Sequence, residues 1–227
     1  MTRCSPELDW VRSVNHQRVA EQEEHEAVGE VVEPTGEGLT DVERKRREAA
    51  LAEVRTFGDP VLRSRASDIT EFGPELEREA EHMVSLMRNA MGVGLAATQL
   101  GAMRRLLVFQ AGPDATATAV ANPALEWTSD ELATAEEGCL SLPGIVVDVE
   151  RALHARVRGV DVHGEPLLLE ASGLEARVLQ HEIDHLDGVL ILDRTLREQR
   201  KGAMRALREG TTYSPPHPES EDEGSET

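Results

Sequence analysis

Apolar residues fall at helical spacing in two well-separated stretches of the chain, and between them they gather into short runs bounded by turn residues. Leu76, Ala80, Met83, Val84, Met87 and Met91 recur at three- and four-residue intervals, which predicts an amphipathic helix over 75–91. Pro74 stands where the first turn of a helix tolerates proline, and Gly92 supplies a stop. Leu174, Val178, His181 and His185 repeat the pattern further along, with Gly188 as the stop and Ser172 and Glu175 spaced as a capping box. Thr40 and Glu43 form a second such box ahead of a short helix over 42–52. Residues 105–110 read as a buried strand followed by a Gly112-Pro113 turn, 118–122 as a strand stopped by Pro123, and 125–135 as another extended region. Residues 153–162 and 166–171 predict a β-hairpin turning at His163-Gly164, in which His154 and His163 are structural or face solvent. Val189, Leu190, Ile191 and Leu192 read as a short apolar strand, and 194–209 as a final helix.

Composition narrows this picture. Of 227 residues, 30% are charged and 39% apolar, which suits one medium-sized soluble domain with length left over for tails. The net charge of -19 argues against DNA, or nucleic acid in general, and against anionic membranes as partners of the whole chain. The charge is unevenly spread. Glu21, Glu23, Glu24 and Glu26 mark residues 1–45 as an acidic extension, and Glu219, Glu221, Asp222, Glu223 and Glu226 mark 210–227 as an acidic tail. Both are expected to be disordered, leaving 46–209 as the folded domain. The final helix runs the other way, with Arg194, Arg197, Arg200, Lys201, Arg205 and Arg208. No apolar run approaches the roughly 18–20 residues of a membrane span, and no secretory signal is evident, so a cytoplasmic location is expected. Cys4 and Cys139 do not amount to a disulfide framework.

Three short motifs carry candidate chemistry. His181-Glu182-Ile183-Asp184-His185 is a His-Glu-x-x-His sequence, and on a helix it sets two imidazoles one turn apart on one face. Both could bind one divalent ion, with Glu182 beside them as general base. By itself the motif also describes polar residues on a solvated helix. Residues 92–99 are small, apolar and glycine-rich, letting backbone approach a ligand, and they end in Gln99, their one strong hydrogen-bonding side chain. The third motif holds Cys139 beside Gly138. A lone cysteine is commonly a small buried apolar residue, yet Cys with two His is a three-ligand set that leaves a fourth position open for water.

Taken together, Gly-x-Gly-Leu-Ala-Ala-x-Gln at 92–99, Glu-Gly-Cys-Leu-Ser at 137–141 and Gln-His-Glu-x-Asp-His-Leu-x-Gly at 180–188 resemble peptide deformylases. The similarity covers roughly residues 50–200, beginning near Gly58-Asp59-Pro60-Val61-Leu62-Arg63. The resemblance implies an α+β fold with antiparallel sheets packed around a central metal-binding helix. It implies hydrolysis of the formyl group from the N-terminal formyl-methionine of nascent polypeptides, releasing formate. Cys139, His181 and His185 would then hold the metal, commonly Fe²⁺, with Zn²⁺ or Ni²⁺ also able to occupy such a site. A metal-bound hydroxide would attack, Glu182 would act as general acid/base, and the Gln99 amide and Leu140 N–H would stabilise the oxyanion. Val93, Gly94 and Gly138 would line or pair with the substrate backbone, and Glu137 with Arg151 would form a supporting ion pair. Some relatives dock on ribosomes through a basic C-terminal helix, so 194–209 is a candidate ribosome contact; a monomer is expected. Two rivals differ in class. A zinc endopeptidase would take a third ligand such as Glu209 and leave Cys139 unused, and a non-catalytic homologue would keep the residues without turnover.

Overall fold

The computed structural model describes residues 38–112 and 115–216. Most of the acidic extension, Cys4, Pro113 of the expected turn, and all five named acidic residues of the tail lie outside the described residues.

Helix α1 (Asp41–Leu51) opens the described chain, and both halves of its capping box form. Glu43 N–H donates to Thr40 Oγ1 at 3.3 Å, and Thr40 N–H donates to Glu43 Oε2 at 2.8 Å. After a 3₁₀ turn (Pro60–Arg63), α2 (Pro74–Asn89) starts on its proline and buries Leu76, Ala80, Met83, Leu86 and Met87. These pack against Ala50 and Val54 on one side and Leu95, Leu106 and Val108 on the other. The stop after α2 falls on Met91, which takes a φ of 65°, and not on Gly92.

Strands β1 (Gly94–Ala96), β2 (Leu106–Phe109), β3 (Thr118–Thr128), β6 (His154–Val160) and β7 (Pro166–Ser172) form one antiparallel sheet, in the order β1-β2-β3-β6-β7. Strands β4 (Leu132–Gly138) and β5 (Val146–Ala152) pair as a second sheet. Helix α3 (Gly173–Leu186) lies between the two, packing on β1, β2, β3, β6 and β7 of the larger sheet and on β5 of the smaller. The α+β fold around a central helix is therefore present. Every residue of α3 from Ala176 to Leu186 is buried, so it is enclosed on all sides and not merely on one stripe. Its polar side chains must find partners inside the protein.

Four further expectations need correction. Pro123 does not stop the third strand: β3 continues past it through a register shift between Ala121 and Ala124. A bulge accommodates a residue without an N–H, and Asn122 within it takes a φ of 52°. The Asn122 amide there bonds both backbone groups of Ile69, accepting at 2.7 Å and donating at 2.9 Å. Ser172 does not cap α3; its hydroxyl bonds His154 Nδ1 at 2.8 Å across the hairpin instead. The apolar run at 189–192 becomes a short helical turn, α4 (Ile191–Arg194), because Leu190 N–H is capped by Asp193 Oδ2 at 2.9 Å. The last helix, α5 (Arg197–Glu209), consequently starts after Arg194. Beyond it the chain folds back, and Tyr213 bridges Ile145 while its ring lies against Gly202.

Candidate active site and metal centre

Helix α3 brings His181 and His185 onto one face, their ring centroids 4.9 Å apart. Cys139 follows directly on β4, in a tight turn closed by Leu142 N–H donating to Cys139 O at 2.8 Å. Its Sγ lies 3.1 Å from His185 Nε2. One ligand atom from each of the three residues falls within 4.8 Å of the others, and all three side chains are buried. Among the described residues this is the only group of its kind. Glu209, the third ligand a zinc endopeptidase would need, lies exposed at the end of α5.

The partners of the ring nitrogens decide whether this donor set suits a metal ion. His181 Nδ1 lies 2.9 Å from Glu137 Oε2, which leaves Nε2 for an ion, the arrangement that fixes a ligating imidazole's tautomer and orientation. Burial pushes His185 well below its ordinary pKa, helped by the charges of His181 and Arg151, so it is neutral as a ligand must be. Burial would also lower His181, but hydrogen bonds with Cys139 and Glu137 outweigh it and raise the group. An ion must therefore displace a proton there, which is the usual consequence of binding to thiol and imidazole ligands. The residues fit a single ion bound through one sulfur and two nitrogens.

Glu137 is wholly buried and fully engaged. Arg151 bonds it through Nε and a terminal nitrogen at 2.8 and 2.9 Å, Arg177 at 2.7 Å, and His181 from the remaining side. Burial alone would raise its pKa, but the Arg151 and His181 hydrogen bonds and charges hold it well below the usual carboxylate range. The expected Glu137–Arg151 pair is thus one edge of a larger network. Arg151 also donates to Asp184 at 2.6 Å, and Asp184 is gripped by Arg194 at 2.6 and 3.0 Å. Arg177 donates further to the carbonyls of Val149 and Ala133. Arg177 and Asp184 had no assigned role in the sequence, and Arg194 was counted only with the basic final helix. Arg177 precedes His181 by one helical turn, the one hint that it shares the metal-facing side.

Glu182 is treated differently. Its carboxyl lies in a cradle beside β1, where a Cβ on Gly94 would fall 2.8 Å from Cδ and 2.9 Å from Cγ. Only glycine permits that approach. Oε2 is buried without a hydrogen-bond partner among the described residues, and burial pushes the group up to about 7. Gln99, in the 3₁₀ turn Ala97–Leu100, completes the site. Its Oε1 accepts from Ala96 N–H at 2.9 Å, which turns the amide NH₂ toward Cys139 Sγ at 3.8 Å and Ser141 Oγ at 3.3 Å. Gly138 and Leu140 flank Cys139, and Val93 precedes Gly94 at the free edge of β1. The residues expected to bind metal or substrate or to act in catalysis therefore lie on three segments, β1 with its flanking residues, the end of β4 with the turn after it, and α3, while Arg151 lies on β5.

A fold of two antiparallel sheets around a buried His-Glu-x-x-His helix, with a cysteine completing the cluster, defines a class of metal-dependent hydrolases. Residues 51–201 match the family model described as polypeptide deformylase. A peptide deformylase of Acidothermus cellulolyticus is 47% identical over 160 residues, spanning 70% of this chain and 87% of that protein. The crystal structure of the Thermus thermophilus peptide deformylase superposes with a TM-score of 0.65 at 42% identity, covering 69% of this chain and 93% of that one. A peptide deformylase of Synechococcus elongatus, solved in complex with actinonin, gives 0.65 at 37% identity over 70% of this chain and 88% of its own. The chain belongs to the peptide deformylase family, enzymes that remove the N-formyl group from nascent peptides. No helix among the described residues is long and apolar enough to cross a membrane.

Proposed function

We propose that this chain hydrolyses the formyl group from formyl-methionyl polypeptides, with Glu182 as the proton carrier and Gln99 and Leu140 as the oxyanion donors. The observation that carries the reading is convergence: an idle buried carboxyl oxygen and an aimed amide NH₂ meet the Cys139, His181 and His185 cluster in one enclosed place. Cys139, His181 and His185 would hold the ion, for which Fe²⁺ is our assignment and Zn²⁺ or Ni²⁺ are competent substitutes. Such an ion supplies Lewis acidity, lowering the pKa of a water toward neutrality and polarising a carbonyl.

The chain's own residues do the rest. A carboxyl poised near neutrality can accept a proton from the attacking water and return it to the departing amine, the pKa match that general acid–base catalysis needs. The Gln99 NH₂, held by Ala96, and the Leu140 N–H beside Cys139 meet the charge that develops on the formyl oxygen. The free edge of β1, with Val93 and Gly94, and Gly138 at the end of β4 receive the substrate backbone. Arg151, Arg177 and Glu137 keep the His181 ring in place. We assign the work to residues 46–209 of a cytoplasmic monomer, and α5 to a ribosome contact. Of the basic residues named for that contact, Arg194 is engaged by Asp184 and Arg200 lies 3.6 Å from Asp193, so Arg197, Lys201, Arg205 and Arg208 carry it.

The test is formate release from a formyl-Met tripeptide by enzyme purified without oxygen and loaded with Fe²⁺ or Ni²⁺, with Glu182→Ala alongside. Turnover by the parent, abolished in the variant while metal is retained, supports both reaction and base. A metal-replete, folded parent without turnover would instead indicate a non-catalytic homologue. Actinonin, bound to the Synechococcus relative, is expected to inhibit this chain as well.

A further inference from the structure

Gln99 and Leu140 stand on separate segments, the turn after β1 and the turn after β4, yet both must reach one oxygen to act as oxyanion donors. Useful donor-to-oxygen distances span only about 2.7–3.1 Å, so the two segments need a fixed separation.

A third segment spans them. Between the end of α1 and the 3₁₀ turn at Pro60, Arg55 N–H donates to Gln99 O at 2.6 Å and Phe57 N–H donates to Ser141 O at 2.8 Å. Ser141 directly follows Leu140, so one bond grips the first donor residue and the other grips the neighbour of the second. Gln99 and Ser141 are both buried, and the Gln99 amide also donates to Ser141 Oγ at 3.3 Å.

The spanning segment is itself anchored on either side. Val54 is buried in the apolar cluster that holds Leu95, Ala97 and Leu140, and Phe57 packs on the separate cluster that holds Cys139 and Leu142. The Arg55 side chain lies over Gly101, which closes the Gln99 turn at a φ of 85°; a Cβ there would fall 3.0 Å from Arg55 Nε. Asp59 N–H donates to Thr56 O at 3.1 Å across a turn in which Gly58 takes a φ of 108°. These are the marks of a type II turn with Phe57 in its second position, where the N–H takes no part in the turn's own bond.

We propose that residues 54–57 are a brace that fixes the Gln99 amide and the Leu140 N–H relative to each other, with Arg55 and Phe57 as positioning residues acting through their backbone N–H groups. The inference rests on the oxyanion roles proposed above for Gln99 and Leu140. Neither Arg55 nor Phe57 is among the residues assigned to the ion or the substrate. Loosening the brace therefore removes an interaction made in the transition state, and it should lower kcat while leaving KM and bound metal unchanged.

Three replacements of Phe57 test this in the full, metal-loaded chain with a formyl-Met tripeptide. Phe57→Pro removes the N–H at a turn position that favours proline, and its ring carbon pushes on Ser141 O. Phenyllactate, introduced at 57 by genetic-code expansion, turns the amide into an ester and keeps the aromatic ring. Phe57→Leu keeps the N–H. A displacement of about 1 Å can cost roughly 10²-fold, the kcat loss expected of Phe57→Pro; the ester should lose about tenfold and Phe57→Leu less than about threefold. KM and metal content should stay within about twofold of the parent in all three. In chelator-treated protein, amide exchange over 139–142 should quicken about tenfold in the proline and ester variants. Should Phe57→Pro fail to fold, the ester and leucine pair decides. An ester with parental kcat and parental exchange, a leucine variant that loses as much as the ester, or a loss carried by KM or metal content would each overturn the proposal. Gln99→Ala runs beside them. A parent without turnover, or a Gln99→Ala with parental kcat, would remove the oxyanion reading and the brace with it; a loss of about 10²-fold in Gln99→Ala beside a parental ester would overturn the brace alone.

Discussion

Glu137 and Glu182 are both buried beside His181, one arriving at the end of β4 and the other on α3, and they differ in everything that sets a carboxyl's charge. Glu137 accepts from two arginines and faces His181 Nδ1, so its oxygens are fully engaged and it stays ionised. Glu182 keeps one oxygen without a partner, and burial lifts it to about 7. A carboxylate whose lone pairs are all taken can hold a neighbour still but has nothing left with which to move a proton. One with an idle oxygen and a pKa near neutrality can do the reverse. The contrast separates positioning from chemistry without reference to any reaction, and it can be broken experimentally.

The largest effect is expected from Glu182→Gln, which keeps size and removes the proposed proton carrier. Turnover of formyl-peptide should fall about 10²–10⁴-fold, with metal content unchanged. A variant that retains more than a tenth of parental turnover would remove Glu182 from the role. Glu137→Gln should act elsewhere. It leaves Arg151 and Arg177 buried without their counter-charge, a loss of about 3–5 kcal/mol in urea unfolding. Metal should bind about 10–100-fold more weakly, while turnover per bound ion changes far less than in Glu182→Gln. If the two variants gave the same pattern of losses, the distinction between the two glutamates would collapse.

The sequence showed one half of this contrast, and of the other only the Glu137–Arg151 pair that the family resemblance implied, for a physical reason. Glu182, His181 and His185 are neighbours in the chain, and helical spacing alone places them together. Cys139 stood out as the lone cysteine away from the acidic ends, and Gln99 as the one strong hydrogen-bonding group in its stretch. The network on Glu137 joins residues far apart: Arg177 is 40 positions away, and Arg151 reaches Asp184 across 33. Nothing local records such pairs, so Arg177 drew no notice, Asp184 stood only as part of the His181–His185 motif, and Arg194 was counted with the basic final helix. The misread elements share this cause. Pro123 ends a strand by local rules, but a bulge and the Asn122–Ile69 bonds carry β3 past it. Ser172 has capping chemistry, yet His154 across the hairpin takes its hydroxyl.

Gly94→Ala sharpens the comparison sterically, because the new Cβ would press on Glu182 and leave Glu137 untouched. Displacing a catalytic group by about 1 Å can cost roughly 10²-fold in rate, and that is the expected loss in kcat. Metal affinity, governed from the Glu137 side, should stay near the parental value by titration. A parallel loss of metal would mean that β1 and β4 are mechanically coupled.

The smallest effect isolates the raised Glu182 carboxyl itself, and it is best read in chelator-treated protein, where no ion competes for its charge. Its folded pKa of about 7 lies above the unfolded value of 4.5, so between these values the folded protein holds a proton that the unfolded chain has lost. The group's contribution to stability is therefore complete below about pH 4.5 and is lost as pH rises through about 7. Between pH 5 and pH 7 the loss amounts to about 2 kcal/mol. Glutamine does not titrate, so Glu182→Gln should remove this part of the pH dependence and leave the parts owed to His181, His185 and Glu137. The observable is the difference between parent and variant in urea unfolding at each pH, from which those shared titrations cancel. The parent's stability minus the variant's should fall by about 2 kcal/mol between pH 5 and pH 7; a value that rises or stays flat would mean that the Glu182 carboxyl is ionised at little cost, and its idle oxygen would then no longer support it as the proposed proton carrier.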